Sequence, residues 1–264
     1  MKMVEVELLG LTASAAGVSE RPMGTHLSRT IMLAELRRLM EQSPAAAMAT
    51  AYREAVVDEN VLLKPTASTR LISFNRLRDL YALNPDVLLF HALRDLWYED
   101  TDAQPLLALL CALARDVLLR STAEFIVALP LGEPVTPEQL TSVVRSAFPE
   151  RYSEASLASV GRNLASSWQQ AGHLTGKLRK VRAHAHCRPN DVVYALLLGY
   201  VLGGRGEGLF HTLWTRVLDV APHTLHEQAQ AAAQRGWIEY RRAGDVVEVG
   251  FRHLMRAFQQ GDET

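Results

Sequence analysis

The sequence predicts a mainly α protein: an N-terminal helical bundle followed by two winged-helix-like (helix-turn-helix) modules, with a small C-terminal β-hairpin. Three observations carry this. The 264 residues are 48% hydrophobic but only 7% aromatic, a Leu- and Ala-rich balance that favours helices. Through residue 130 the apolar positions recur at helical spacing between short polar breaks. Near the end, two β-prone runs flank Gly244-Asp245, a hairpin signal.

Residues 1–26 read as an extended, mobile N-terminal segment. Val4, Val6 and Leu8 alternate with Glu5 and Glu7 as in a short strand. Thr12 to Pro22 is small and polar. Residues 27–130 form the expected bundle. Met32, Leu36, Leu39 and Met40 share one face of a helix over Leu27–Glu41. Further helices are expected over Pro44–Glu59, Leu71–Leu83, Gln104–Leu119 and Thr122–Leu129. Asn84-Pro85-Asp86 supplies another start, since Asn caps well and Pro suits the first helical position.

The Gly- and Pro-containing stretch Leu131–Pro134 sets a boundary, and residues 135–190 form the first helix-turn-helix module. Thr136-Pro137-Glu138-Gln139 combines an N-cap, Pro at the first position and Gln three residues on. Ser153 opens the second helix, which ends near Gly172. Leu157, Val160, Leu164 and Trp168 make its apolar face, while Ser159, Arg162, Asn163 and Ser166 point away. A recognition helix needs such a split, with one face on the domain and polar groups toward a groove. An ordinary amphipathic surface helix has the same pattern.

Charge tips the balance toward the recognition helix, although a solvated loop or a patch for an acidic protein partner would carry the same charge. From Ala155 to Asn190 there is no acidic residue, and Arg162, Lys177, Arg179, Lys180, Arg182 and Arg188 give +6. The chain's formal charge of −1 therefore hides a segregated basic segment, an electrostatic footprint for a polyanion. Lys177-Leu178-Arg179-Lys180-Val181-Arg182 reads as a basic wing or loop beside a phosphate backbone. The DNA-binding candidates are Arg162, Lys177, Arg179, Lys180 and Arg182 for phosphates and Asn163 for a base edge.

Residues 191–258 form the second module. Asp191–Leu202 is apolar enough for a buried helix, and Gly203 to Gly206 break it. Gly208–Leu218 is a further helix, and Thr224-Leu225-His226-Glu227 reads as a capping box opening the next, through Gln234. Strands over Trp237–Arg242 and Val246–Phe251 complete a winged-helix order, with Arg241 and Arg242 near the hairpin tip as secondary DNA candidates. The preceding helix has no Lys or Arg before Arg235, so the module equally suits protein interaction.

Other classes are disfavoured. The apolar runs Pro105–Ala114 and Val192–Gly204 are too short to span a bilayer, and no signal peptide is visible, so a cytoplasmic protein is expected. Two cysteines, Cys111 and Cys187, argue against a disulfide framework and for a reducing compartment. His184, His186 and Cys187 lack zinc-site spacing, so no metal or cofactor is expected. GGRGEG over Gly203–Gly208 lacks the lysine and preceding strand of a phosphate loop. Asp95, Glu99, Asp100 and Asp102 read as a solvated face. No nucleophile elbow appears, and no enzyme activity is expected.

Four stretches resemble the BrxA family of BREX (bacteriophage exclusion) defence systems: Leu71–Leu96, AGHLTGK at Ala171–Lys177, YALLLGYVLGGRGEGLF at Tyr194–Phe210 and AAQRGWIEYRRAGDVVEVGF at Ala232–Phe251. The resemblance covers about residues 25–255. It implies a non-enzymatic, helix-rich, DNA-binding protein. Its partners would be double-stranded DNA and defence proteins that include a methyltransferase, an ATPase and a phosphatase-like component. The family's N-terminal part is also similar to a bundle of RNA antitermination factors, which keeps RNA binding as an alternative. A protein-interaction scaffold, with the basic segment gripping an acidic partner, is the other.

Overall fold

The computed structural model describes residues 12–21 and 24–258. The strand expected at Val4–Leu8 lies outside them. Within the stretch expected to be mobile, the described residues 12–21 pack against the bundle. Helix α1 (Ala13–Ala16) buries Ala13 and Ala16, and Val18 is buried beyond it. Arg115 donates to the Gly17 carbonyl at 2.7 Å, and Arg120 donates to that of Ser19 at 2.9 Å.

A 3-10 turn at Thr25–Leu27 precedes α2 (Leu33–Gln42), α3 (Ala49–Val57), α4 (Ala67–Tyr81), α5 (Leu88–Trp97), α6 (Gln104–Arg115), α7 (Val117–Ser121) and α8 (Ala123–Ala128). The expected start at Leu27 fails because the backbone of residues 28–32 is drawn elsewhere. Ser167 Oγ accepts the Ile31 N–H at 3.0 Å, Gln170 Oε1 accepts that of Leu33 at 3.1 Å, and Met32 turns left-handed at φ 53°. Helix α4 starts before Leu71 because Thr66 and Thr69 form a reciprocal capping box. Asn84 makes a turn, and α5 begins only at Leu88.

The helix expected over Gln104–Leu119 is two helices. Asp116 turns extended and caps α7, accepting the N–H groups of Leu118 and Leu119. Asp95 and Asp100 are engaged rather than merely solvated: Asp95 faces His91 and Arg256, and Asp100 accepts from Arg188 Nε at 2.8 Å.

Strand β1 (Pro134–Val135) leads into α9 (Pro137–Ala147), α10 (Glu154–Gln170), β2 (Leu174–Thr175) and β3 (Lys180–Arg182). The Thr136–Gln139 box and the Ser153 cap form as expected. The strands make one antiparallel sheet, ordered β1-β3-β2.

Helix α11 (Pro189–Val201) is buried on nearly every side. It packs on α5 and α6 at one end of its surroundings. At the other it meets α12 (Leu213–Arg216) and α13 (Pro222–Gln234). Asn190 donates to the Leu96 carbonyl at 3.0 Å and Tyr194 to that of Leu89 at 2.8 Å, so two of its polar side chains tie it to the α5 backbone. A 3-10 helix at Gly206–His211 and α12 replace the single helix expected over Gly208–Leu218. Helix α13 starts at Pro222 without a side-chain cap, not at Thr224, because Pro at the first position presets the helical φ.

Strands β4 (Glu239–Ala243) and β5 (Val246–Gly250) pair antiparallel about a two-residue Gly244-Asp245 turn. Helix α14 (Arg252–Met255) then returns to α5. One continuous buried cluster runs from Ala13 to Met255. Among the described residues no helix is long and apolar enough to cross a membrane.

Candidate nucleic-acid interface

Helices α9 and α10 approach closely because Gly161 has no side chain. A Cβ there would stand 2.3 Å from the Pro137 carbonyl oxygen and 2.4 Å from Thr141 Oγ1. Thr141 also donates to the Leu157 carbonyl at 3.1 Å. Past Asn163, both sides of α10 are covered. Leu164 and Trp168 face the core, while Asn163, Ser167 and Gln170 hold the 26–33 segment. Only the N-terminal half, with Ala155, Ala158 and Arg162, is open to solvent. That is the half a helix-turn-helix protein offers to base edges.

The basic candidates separate into open and committed groups. Lys177 and Arg179 are exposed at the β2–β3 hairpin tip, and among the described residues neither has a carboxylate at ion-pair distance. Arg162 is exposed and donates to Ser159 Oγ at 3.1 Å. Lys180 is tied to Gln169 Oε1, and Gln169 Nε2 donates to the Gly176 carbonyl at 3.0 Å. That glutamine therefore braces both sides of the hairpin from α10.

Two candidates have their side-chain donors engaged within the fold. Arg182 is only 3% exposed. Its Nη1 and Nη2 reach the two Asp219 oxygens at 2.9 and 2.7 Å, and Nε donates to the Ile126 carbonyl at 2.9 Å. Such bidentate geometry fixes the wing to the body and keeps the guanidinium turned inward, with the side chain 1% exposed. Burial alone raises the Asp219 carboxyl. Hydrogen bonds and charge from Arg182, with the Ala185 N–H, outweigh it and hold the carboxyl below its ordinary value. Asn163 is likewise occupied, donating to the His26 carbonyl at 3.0 Å. Arg188 is paired with Asp100. The acid-free segment is thus charge-paired in space by carboxylates from outside it, and its open charge concentrates at Arg162, Lys177 and Arg179.

At the second hairpin, Arg241 faces Glu248 across the strands at 3.8 Å, and Arg242 Nε lies 3.4 Å from the Gly244 carbonyl. Both are exposed, but the neighbouring carboxylate offsets the charge. His184 is exposed beside Asp219 at 3.2 Å. Among the described residues no three His, Cys, Asp or Glu side chains group as a metal ion would require. Burial pushes the Cys111 thiol up to about 11 and raises that of Cys187 as well, so neither favours a thiolate.

One constellation has the order of a serine-hydrolase triad, and no local motif in the sequence signals it. His26 Nδ1 lies 2.8 Å from Asp116 Oδ2, and Nε2 lies 2.8 Å from Ser167 Oγ. Its directions run the other way. Ser167 gives its proton to the Asn163 carbonyl at 2.7 Å and accepts the Ile31 N–H, so His26 Nε2 donates to it. The histidine and aspartate side chains are 0% and 2% exposed. A nucleophile needs a free proton path to a base and room for a substrate, and this serine has neither. The three residues clamp the N-terminal segment to α7 and α10.

His173, behind the hairpin, is buried against Trp168 and donates from Nε2 to the Val217 carbonyl at 2.7 Å. Burial, helped by the Arg182 charge and opposed by Val217 and Asp219, lowers its pKa to about 4. The folded chain keeps it neutral while the unfolded chain titrates near 6.5. Its contribution is complete above pH 6.5 and declines as pH falls toward 4, by about 3 kcal/mol in all. Urea melts at pH 7 and 4.5 test this. The His173→Gln variant, which keeps a donor for Val217, should lose less stability over that interval than the parent.

No family model and no curated protein matches the chain. Among solved structures, magnesium-bound SspB is similar at a TM-score of 0.53 and 13% identity, covering 90% of this chain and 85% of that one. A second SspB crystal structure gives a TM-score of 0.50 and 12% identity over the same shares. At such identity the likeness is one of fold: the chain shares the overall arrangement of the SspB structures.

Proposed function

We propose that this chain is a non-enzymatic, double-stranded-DNA-binding accessory component of a BREX-type anti-phage defence system. On this reading residues 135–190 act as a winged-helix module. It grips the duplex mainly through backbone phosphates, from Lys177 and Arg179 on the wing and Arg162 on α10. The observation that carries the reading is the hairpin itself: two exposed, unpaired cations on a wing braced by Gln169 and Arg182, beside the open half of α10. Such an array suits phosphate contact and positioning rather than base readout. The residue pattern that resembles the BrxA family supports the defence setting.

The C-terminal module is read as a protein-docking element of the same complex. The Arg241–Glu248 pair and the cation-poor α13 favour this over a second DNA contact.

The test is a salt-titrated binding assay with duplex DNA, single strands and RNA. The triple variant Arg162→Ala/Lys177→Ala/Arg179→Ala should weaken duplex binding on every sequence. It should also flatten the log–log salt slope by about 3, at about 0.9 per phosphate. Lys180 and Arg182 stay intact because they support the hairpin. Unchanged affinity and slope would overturn the assignment. Preference for looped RNA would favour an RNA factor, and retention on partner protein alone would favour a scaffold.

A further inference from the structure

The β2–β3 hairpin reverses over residues 176–179. Gly176 adopts φ +101°, and a Cβ there would lie 2.0 Å from the Arg179 carbonyl oxygen, so the tight turn requires glycine. At the apex, Leu178 is 100% exposed, while the next most exposed large hydrophobic among the described residues is Val246 at 72%. Its side chain touches nothing in the fold. Cations that no described carboxylate pairs with flank it on both sides, Lys177 and Arg179. The stem is stiff, since Gln169 holds Gly176 and Lys180, and Asp219 holds Arg182.

A lone exposed leucine on a floppy loop means little. This one is presented at the tip of a braced arm between two positive charges. We propose that Leu178 is an apolar wedge. It enters the DNA minor groove and partly unstacks one base step, with Lys177 and Arg179 seated on the flanking phosphates and groove walls. This rests on the duplex-binding reading above and adds a mode of engagement to it. Proteins that bend DNA from the minor groove insert single Leu, Ile, Phe or Met side chains in this way, kinking the duplex by roughly 20–90°. The negative potential of a narrow minor groove attracts the flanking cations. One leucine suffices there, because only one step is opened. A lipid surface is a poorer occupant: burying a single leucine supplies only about 1.5–3 kcal/mol, and reversible anchoring takes far more apolar surface. The wedge reading also predicts a preference for flexible pyrimidine–purine steps, the cheapest to unstack.

The experiment uses the full chain and an end-labelled duplex of about 30 base pairs with one central TA step, read by energy transfer between the ends. Wild type should draw the ends together. Leu178→Ser should abolish the bend and weaken binding about tenfold, with the salt slope unchanged; Leu178→Met should retain both. Because the side chain has no intramolecular contact, thermal stability should be the same in all three. Equal bending and affinity in Leu178→Ser would overturn the wedge while leaving the phosphate contacts standing, provided Lys177→Ala/Arg179→Ala still flattens the slope. A wild type that binds no duplex overturns both readings. A Leu178→Ser variant that loses binding to anionic vesicles instead of duplex bending overturns the wedge in favour of a membrane contact.

Discussion

Replacing Arg182 by Met should lower the unfolding free energy by about 3–5 kcal/mol, the usual effect of removing one partner from a buried ion pair. At this chain length that is a fall in Tm on the order of 10 °C. The cause is specific. Without the guanidinium, Asp219 keeps only the Ala185 N–H at 3.3 Å and the exposed His184, and the Ile126 carbonyl is left with the Leu129 N–H at 3.3 Å as its donor. Asp219 has a left-handed backbone at φ 62°, which Asn tolerates well. The double variant Arg182→Met/Asp219→Asn should therefore lose less than the sum of the two single changes, because no charge is left buried alone. Urea melts of the four proteins check this. The same variants bear on DNA. At temperatures where Arg182→Met is folded, its salt slope should match wild type, since this guanidinium is buried against Asp219. A slope reduced by about one would restore Arg182 to the interface.

Asp116→Ala should cost about 4 kcal/mol or more. Two contributions combine. Asp116 caps α7 through Leu118 and Leu119, a role worth about 1 kcal/mol. It also receives both the Nδ1 and the backbone N–H of buried His26, and breaking such a pair adds several kcal/mol. Burial by itself raises this carboxyl, but the His26 charge and hydrogen bonds outweigh it and hold it below 3.8. The sign follows from that direction. A carboxyl depressed in the folded state adds stability that is complete above pH 3.8 and is lost as pH falls through the folded value. Denaturant melts from pH 7 to 3 should show the gap between wild type and variant constant down to about pH 4, then narrowing. A gap that widens in acid would refute this account of the clamp.

How much of this was legible in the sequence follows from the range of each interaction. The Thr136–Gln139 capping box and the Ser153 cap are written within four residues and appear where expected. The Gly244-Asp245 hairpin is equally local. The start of α2 was not legible, because its deciding acceptors, Ser167 and Gln170, lie 136 and 137 positions away. Asp116 sits between two apolar runs with nothing nearby to mark the break. In the candidate interface, Lys177 and Arg179 were visible as plain charge. Arg182 looked identical in sequence, yet its partner Asp219 is 37 positions on, so only the fold separates a brace from a contact. Gln169 carried no signal at all: a polar residue near a helix end, it becomes informative only once the hairpin folds back on it.

The burial of α11 bears on how the chain is made. The helix seals α5 and α6 through hydrogen bonds spanning 94 and 105 positions, and His26 waits for Ser167 across 141. Ribosomal synthesis is vectorial, so the Leu-rich surfaces of the early helices emerge well before the segment that covers them. The nascent chain must carry this uncovered surface through much of translation, with long-range closure as its slow step. Those faces are where a chaperone would engage the growing polypeptide, and folding yield should depend more on elongation speed than on the intrinsic strength of any one helix.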